Sequence, residues 1–138
     1  MKREHLNPET LPDWSGMFNQ VVVTEKHGLR LIHISGQVGV DRAKKVVGEG
    51  SCLAVQTLQS LENLRAALTS VGAEVSDVVK LTIYVVDYQY EQSAVIREAL
   101  IRFFYQVQLP ALSLIGVAAL ADPGFLIEID AEVIAETN

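Results

Sequence analysis

Apolar residues recur at helical spacing in two separate parts of the chain. Ser51 can cap the start of the first helix, and Gly72 supplies a natural end for it. A second helix is predicted over residues 90–106, before the helix-disfavouring pair Leu109-Pro110. The first helix carries one apolar stripe at intervals of three and four: Ala54, Leu58, Leu61, Leu64, Leu68 and Val71. The apolar face of the second helix is predicted to hold Val95, Ala99, Leu100 and Phe103.

Runs of β-branched and aromatic residues predict strands in the remaining parts of the chain. Lys26-His27-Gly28 joins the first two runs and is typical of a tight hairpin. Residues 78–87 are almost wholly β-branched or aromatic, which predicts a strand buried on both faces. The predicted strands are 20–25, 29–36, 78–87, 112–118 and 125–134.

Together these elements predict an α+β fold with both helices on one face of a mixed sheet. Residues 1–17 contain two prolines and no periodicity, and we expect them to be irregular. Residues 39–50 form a polar loop that could hold a short strand at Val46-Val47. The 138 residues are expected to form a single domain, 1–138. Because 49% of the residues are apolar, we expect the open sheet face to pack against copies of the chain.

Composition and charge narrow the class of protein. The net charge of −6 argues against a nucleic-acid surface, which needs clustered Lys and Arg. Cys52 is the one cysteine, so no internal disulfide can form, and the three histidines are too scattered to suggest a metal site. The start does not resemble a signal peptide, and no apolar run is long enough to span a membrane. A cytoplasmic protein is therefore expected.

Four segments, in order and at near-constant spacing, resemble the YjgF/Rid family, whose older name is the L-PSP endoribonuclease family. They are HISGQVGVD at 33–41, AVQTLQSLENLRAAL at 54–68, DVVKLTIYVVD at 77–87 and FLIEIDA at 125–131. The resemblance implies a chorismate-mutase-like fold and a homotrimer with small-molecule clefts between subunits. The open sheet face would then form the centre of the trimer.

The resemblance also implies a reaction. Archetypal members hydrolyse imines and enamines such as 2-aminoacrylate without a metal or organic cofactor. That chemistry needs a cation to hold the substrate carboxylate and a carboxylate to orient the attacking water. Arginine suits the first task, because its planar guanidinium meets a carboxylate at two points.

The arginine that this reaction needs is missing from the charge-free stretch QLPALSLIGVAAL, residues 108–120. The family motif Pro-Ala-Arg-Ser stands here as Pro110-Ala111-Leu112-Ser113, so Leu112 replaces the arginine. A carboxylate left unpaired against a leucine would be strongly disfavoured. We therefore expect 2-aminoacrylate hydrolysis to be weak or absent.

The other positions of the family site match the family pattern only in part. Glu128 matches the glutamate that orients water, and Ser35 and Gly36 match a segment whose backbone contributes to the cleft. Phe18 stands where archetypal members carry a tyrosine, and Arg97 falls where they often have an asparagine. The resemblance thus implies Glu128 as the catalytic residue, with substrate-binding positions at Phe18, Ser35, Gly36, Arg97, Leu112 and Ser113.

Each of these residues also has a purely structural interpretation. Glu128, with Asp130 and Glu132, could form the solvated face of a strand. Leu112 could be an interface or core leucine, and Arg97 an exposed helix arginine. Ser35-Gly36 could serve close backbone packing, and Ser113 could close a hydrogen bond where its strand begins.

Three functions remain open on the sequence alone. The first is an imine or enamine deaminase with altered specificity. In this enzyme Arg97 could replace the missing arginine that holds the substrate carboxylate. The second is a trimer that binds a small metabolite without turnover. The third is an endoribonuclease, which the acidic charge and the lack of a histidine pair disfavour.

Overall fold

The computed structural model describes residues 1–49 and 51–138. In this part of the chain, six strands and two α-helices are present. The strands are β1 Lys2–Leu6, β2 Val21–Lys26, β3 Leu29–Val38, β4 Val78–Val86, β5 Ala111–Val117 and β6 Ile127–Glu136. The helices are α1 Leu53–Ser70 and α2 Ser93–Phe103. Among the described residues, neither helix combines the length and apolar character needed to cross a membrane.

The strands form one mixed sheet in the order β1-β2-β3-β6-β4-β5. Only β4 and β5 pair in parallel, and every other neighbouring pair is antiparallel. Helix α1 packs on β3 and β6, and α2 packs beside α1. The predicted α+β fold, with two helices on one face of a mixed sheet, is therefore confirmed.

Two turn predictions are confirmed by the backbone angles. His27 and Gly28 join β2 to β3 with φ of 52° and 79°, the conformation that a tight two-residue hairpin requires. Gly72 ends α1 with φ of 65°, and the amides of Gly72 and Ala73 donate to the carbonyls of Thr69 and Leu68. These are the bonds of a glycine C-cap.

The prediction for α1 is only partly right. Leu61, Leu64 and Leu68 are buried, but Leu58 is exposed, and Ser51 does not cap the helix. The N-cap is Cys52, without a side-chain hydrogen bond. Half of the buried face is polar instead: Gln56, Thr57, Ser60 and Asn63.

Three other predictions of local structure are wrong. Residues 2–6, which were predicted to be irregular, form the edge strand β1 through backbone pairing with β2. Four of their five side chains are exposed, so the strand leaves no apolar pattern in the sequence. The helix predicted over 90–106 is shorter, since Tyr90–Gln92 form a separate 3-10 turn and Gln106 has φ of 58°. Val46 makes a single bridge to Val40 and belongs to no strand.

Strand β4 is not buried on both faces within one protomer. Leu81, Ile83 and Val85 are buried under the helices, whereas the alternate residues Lys80, Thr82 and Tyr84 are half-buried on the other face. The β-branched composition predicted a strand correctly. It did not distinguish a strand covered twice from one whose second face remains open.

Buried amides of α1 bind the backbone of the sheet. The Gln56 side chain donates to the Gly124 carbonyl and accepts from the Leu126 amide, both at 2.9 Å. The Asn63 amide donates to the carbonyls of Val38 and Val40, both at 3.0 Å. These bonds fix α1 against the end of β3 and the start of β6.

The close approach of α1 to β3 also depends on Gly39. A Cβ at this position would lie 2.6 Å from Gln56 Cβ and 2.8 Å from Gln56 Cα. We expect Gly39→Ala to lower the free energy of unfolding by about 1–3 kcal/mol, because the helix backbone must move away. Urea unfolding measures this loss.

Gly16→Ala is the matched control, since no atom lies within 4 Å of the added Cβ. We expect that variant to stay within about 0.5 kcal/mol of the parent chain. Equal stability of the two variants would show that α1 does not depend on Gly39.

Candidate active site at the end of the open sheet face

The open face of the sheet carries a row of acids on its central strand. In β6, Ile127, Ile129 and Ala131 face the helices, whereas Glu128 and Asp130 alternate with them on the other side. The register between β6 and β4 sets three residues of β4 beside this row. Tyr84 is opposite Glu128, Thr82 is opposite Asp130, and Lys80 is opposite Glu132.

Gly36 makes room for the Glu128 side chain. The pairing of β3 with β6 is irregular between Ile34 and Gln37, so Ser35 and Gly36 lie in a bulge. A Cβ on Gly36 would lie 2.4 Å from Glu128 Cδ and 2.8 Å from its Oε2. The bulge and the missing side chain therefore form a recess that the carboxyl group occupies.

Ser35 ties the loop before β2 to this recess. Its amide donates to the Gln20 carbonyl at 2.9 Å, and its hydroxyl donates to the Asn19 carbonyl at 2.6 Å. Phe18 comes directly before Asn19, is 38% exposed and stacks on Trp14 with ring centroids 6.4 Å apart. The fold thus gathers Ser35, Gly36 and Glu128 at one corner of the open face, whereas the Phe18 side chain packs on Trp14.

Burial and like charge make Glu128 a weaker acid than usual. Partial burial is the main cause that raises the pKa of Glu128, and the Asp130 carboxylate raises it further. Burial also raises the pKa of Asp130, although a hydrogen bond from Tyr84 opposes this effect. The Tyr84 hydroxyl lies 3.3 Å from Asp130 Oδ2. Glu128 is therefore suited to exchanging a proton closer to neutral pH than an exposed glutamate.

The other predicted binding residues lie elsewhere in the protomer. Leu112 pairs with the buried Leu81, so it lies on the helix-bearing side of edge strand β5, where it is 42% exposed. Arg97 is exposed on α2. Helical spacing sets it on the flank opposite Glu98 and Arg102, which face the groove beside α1.

Ser113 lies on the open face but is separated from Glu128 by β4. Its hydroxyl accepts a hydrogen bond from Lys80 at 2.8 Å. The bond agrees with the structural interpretation of Ser113, and it uses one of the three N–H donors of Lys80, which lies opposite Glu132. Leu112 and Ser113 therefore point to opposite sides of β5.

Glu128 and Leu112 do not share a pocket within one protomer. Glu128 is on the open face of the central strand, and Leu112 is on the opposite face at the edge of the sheet. A cleft lined by both residues would need two copies of the chain. One copy would contribute the corner that holds Glu128, and the other would contribute the edge that holds Leu112.

Sequence reasoning missed the part that Tyr84 and Asp130 play around Glu128. The strand pattern favours a solvated Asp130, yet this residue is half-buried and hydrogen-bonded to Tyr84. The alternation Lys80-Thr82-Tyr84 was a usable signal for a polar face of β4. What it could not supply is the cross-strand register that sets Tyr84 beside Glu128. Within residues 1–49 and 51–138, no group of His, Cys, Asp and Glu is arranged to hold a metal ion.

Comparisons with known proteins agree over nearly the whole chain. The sequence model of the family described as Endoribonuclease L-PSP matches residues 9–136. A 2-iminobutanoate/2-iminopropanoate deaminase from Rattus norvegicus is 30% identical over 129 residues, which cover 94% of this chain and 88% of the rat protein.

Solved structures show the same similarity. The YjgF gene product of E. coli has a TM-score of 0.79 and 28% identity, covering 95% of this chain and 98% of that one. YyfA of Yersinia pestis, a protein of unknown function in the conserved Rid family, has a TM-score of 0.83 and 25% identity. That alignment covers 99% of this chain and 100% of the Yersinia chain.

The recess beside Gly36 yields a prediction that separates the site from the fold. In Gly36→Ala the added methyl meets only the flexible Glu128 side chain, so we expect a loss of stability of about 0.5–1.5 kcal/mol. The carboxyl group should be displaced toward water, which lowers its pKa. Urea unfolding and a pH titration of the Glu128 carboxyl carbon by NMR measure the two effects.

Gly39→Ala serves as the control, because its methyl meets the α1 backbone and leaves the Glu128 recess unchanged. We expect the Glu128 titration of that variant to match the parent chain. An unchanged Glu128 titration in Gly36→Ala would contradict the proposed recess.

Proposed function

Because this chain belongs to the Endoribonuclease L-PSP family, also called the YjgF/Rid family, we propose that it hydrolyses imines or enamines with a changed substrate specificity. The observation that carries the proposal is Glu128, a half-buried carboxyl group fitted against a residue without a side chain. A glutamate with a raised pKa can accept a proton from water and return it to a leaving nitrogen.

In the proposed reaction, Glu128 holds a water molecule against the imine carbon. The water oxygen forms a bond to that carbon while one water proton passes through Glu128 to the nitrogen. The hydroxyl proton of the resulting carbinolamine then passes to the nitrogen while the carbon–oxygen double bond forms and the carbon–nitrogen bond breaks, so that the imine and water become a carbonyl compound and ammonia. The protein supplies orientation and proton transfer, and no group is oxidised or reduced.

Leu112 supports the changed specificity. An exposed leucine at this position offers no hydrogen bond to a substrate carboxylate. On the Glu128 side of the cleft, Asp130 lies two residues from Glu128 on the same strand face and would repel an anion, whereas Lys80 lies farther along, opposite Glu132. A substrate without a carboxylate fits such a cleft better than 2-aminoacrylate, unless Arg97 of a neighbouring copy holds the anion.

We propose that the cleft forms between the subunits of a homotrimer, the assembly that the family resemblance implies, and two observations support contact between copies of the chain. Glu128 and Leu112 face opposite sides of one sheet, so only another copy can bring them together. In addition, the open face carries apolar side chains that are 39–44% exposed: Leu29, Leu31, Ile115 and Ile134. A second copy covering this face would remove that apolar surface from water.

We therefore expect sedimentation velocity to give a species of three times the 15.1 kDa chain mass. Leu31→Glu and Ile134→Glu should each dissociate it, because they bury a charge at the interface. Leu58→Glu is the control, since Leu58 is similarly exposed but lies on the helix-bearing side. A monomeric parent chain at tens of micromolar would contradict the intersubunit cleft.

We expect the parent chain to hydrolyse an aliphatic imine without a carboxylate. The imine would be generated in situ from the corresponding amine by an amine oxidase. It should accelerate the conversion of 2-aminoacrylate to pyruvate only weakly over the spontaneous rate. Leu112→Arg should raise kcat/KM for 2-aminoacrylate by about tenfold to a hundredfold, since a charge-assisted hydrogen bond contributes about 1.5–3 kcal/mol. Glu128→Gln should abolish both activities.

Leu112→Gln is the matched control, because it adds a polar side chain of similar size without the positive charge. Rapid hydrolysis of 2-aminoacrylate by the parent chain would contradict the changed specificity. If neither the parent chain nor Leu112→Arg turns over any imine, the hydrolase proposal fails. A trimer that binds a metabolite without turnover would then be the better account.

A further inference from the structure

Tyr84 lies on β4 beside the two acids Glu128 and Asp130 of the candidate site. It lies directly opposite Glu128 in the β4–β6 register, and its hydroxyl reaches diagonally to Asp130 Oδ2 at 3.3 Å. Glu128 and Asp130 are two residues apart on the same face of β6, so their Cα atoms are about 7 Å apart. The Tyr84 hydroxyl therefore contacts Asp130 from the strand position opposite Glu128.

We propose that Tyr84, through its hydrogen bond to Asp130, is a positioning residue for Glu128 in the hydrolytic step. The inference rests on the proposed function for its catalytic meaning, but its physical content concerns three side chains of one protomer. The Tyr84 hydroxyl touches Asp130 and is not assigned any contact with substrate.

The hydrogen bond from Tyr84 acts on the proton affinity of both carboxyl groups, directly on Asp130 and indirectly on Glu128. A phenol that donates to Asp130 stabilises the ionised form of that carboxylate. An ionised Asp130 in turn makes it harder for Glu128 to lose its proton, because two negative charges would then lie close together in a partly buried place. Tyr84 thus favours the ionised form of Asp130 and, through the charge of Asp130, the protonated form of Glu128, where the reaction uses the proton.

Hydrogen bonds from Thr82, which lies opposite Asp130, also lower the pKa of Asp130, whereas the charged groups around the pair act differently. Lys80 is the cation of β4 on this face, and its ammonium is bonded to Ser113. Glu132 lies on the far side of Asp130 from Glu128, where it raises the pKa of Asp130. From β3, His33 faces Glu132, and the segment next to Glu128 contains the uncharged Ser35 and Gly36.

The size of the expected effect follows from the distance. A separation of 3.3 Å is longer than the usual hydroxyl–oxygen hydrogen bond, so the coupling should be modest. Removing the hydroxyl in Tyr84→Phe should raise the pKa of Asp130 and lower that of Glu128 by a smaller amount, because Tyr84 acts on Glu128 only through Asp130. Asp130→Asn should lower the pKa of Glu128 by at least as much, because it removes the neighbouring charge.

The test is a pH titration of the Glu128 and Asp130 carboxyl carbons by NMR, on the full chain without substrate. Tyr90→Phe is the matched control, since Tyr90 is 82% exposed and lies outside the sheet. Opposite shifts of the two acids in Tyr84→Phe would support the proposal. Shifts of both in the same direction, or none, would overturn it, because a general loosening of the sheet moves both acids alike.

A second measurement separates this inference from the proposed function. If the chain hydrolyses imines, the pH at which kcat is half-maximal should move in Tyr84→Phe in the same direction as the Glu128 titration. A kcat profile that stays fixed while Glu128 shifts would overturn the catalytic role of Tyr84. Failure of every variant and the parent chain to turn over imines would sink the hydrolase proposal, while the titration still decides whether Tyr84 positions Glu128.

Discussion

The register of the central strand β6 is the constraint on which the rest of the structure depends. This strand is paired on both sides, with β3 and with β4. Two registers therefore fix which face of the sheet each of its side chains points to. A slip by one residue would turn Ile127 and Ile129 outward and put Glu128 into the core. Burying that carboxylate among aliphatic residues would cost far more than any pairing gained. The apolar alternation that builds the core therefore also fixes the position of the carboxyl group.

The buried polar face of α1 helps to hold this register. An all-apolar helix could slide along the sheet at little cost, whereas the Gln56 side chain matches one carbonyl and one amide just before β6 begins. Leaving those backbone groups unpaired in the interior would be unfavourable by about 1–3 kcal/mol each. The close approach at Gly39 makes these short bonds possible. Specificity of docking thus comes from a few hydrogen bonds, and most of the driving force comes from the leucines beside them.

Sequence reasoning succeeded where the signal is local and weakened where it is not. The two helices, five of the six strands, the His27-Gly28 hairpin and the Gly72 stop all follow from periodicity and backbone preference within a few residues. Strand β1 was missed because its side chains are mostly exposed and its pairing uses only the backbone. The contact between Tyr84 and Asp130 depends on a register between segments 46 residues apart, which one sequence cannot supply. Resemblance to a family suggested Glu128, but only the bulge in β3 explains how Gly36 accommodates it.

The separation of Glu128 from Leu112 onto opposite faces has a consequence for how such a site can change. Glu128 is held by the central strands β3, β6 and β4, whereas Leu112 belongs to the edge strand β5. An edge residue that is 42% exposed can change from arginine to leucine with little effect on the core of its own protomer. Glu128 has no such freedom, because its recess, its neighbours and its register are all shared with the fold. In the proposed cleft, substrate choice can therefore diverge at position 112 while the group that handles water and protons stays in place.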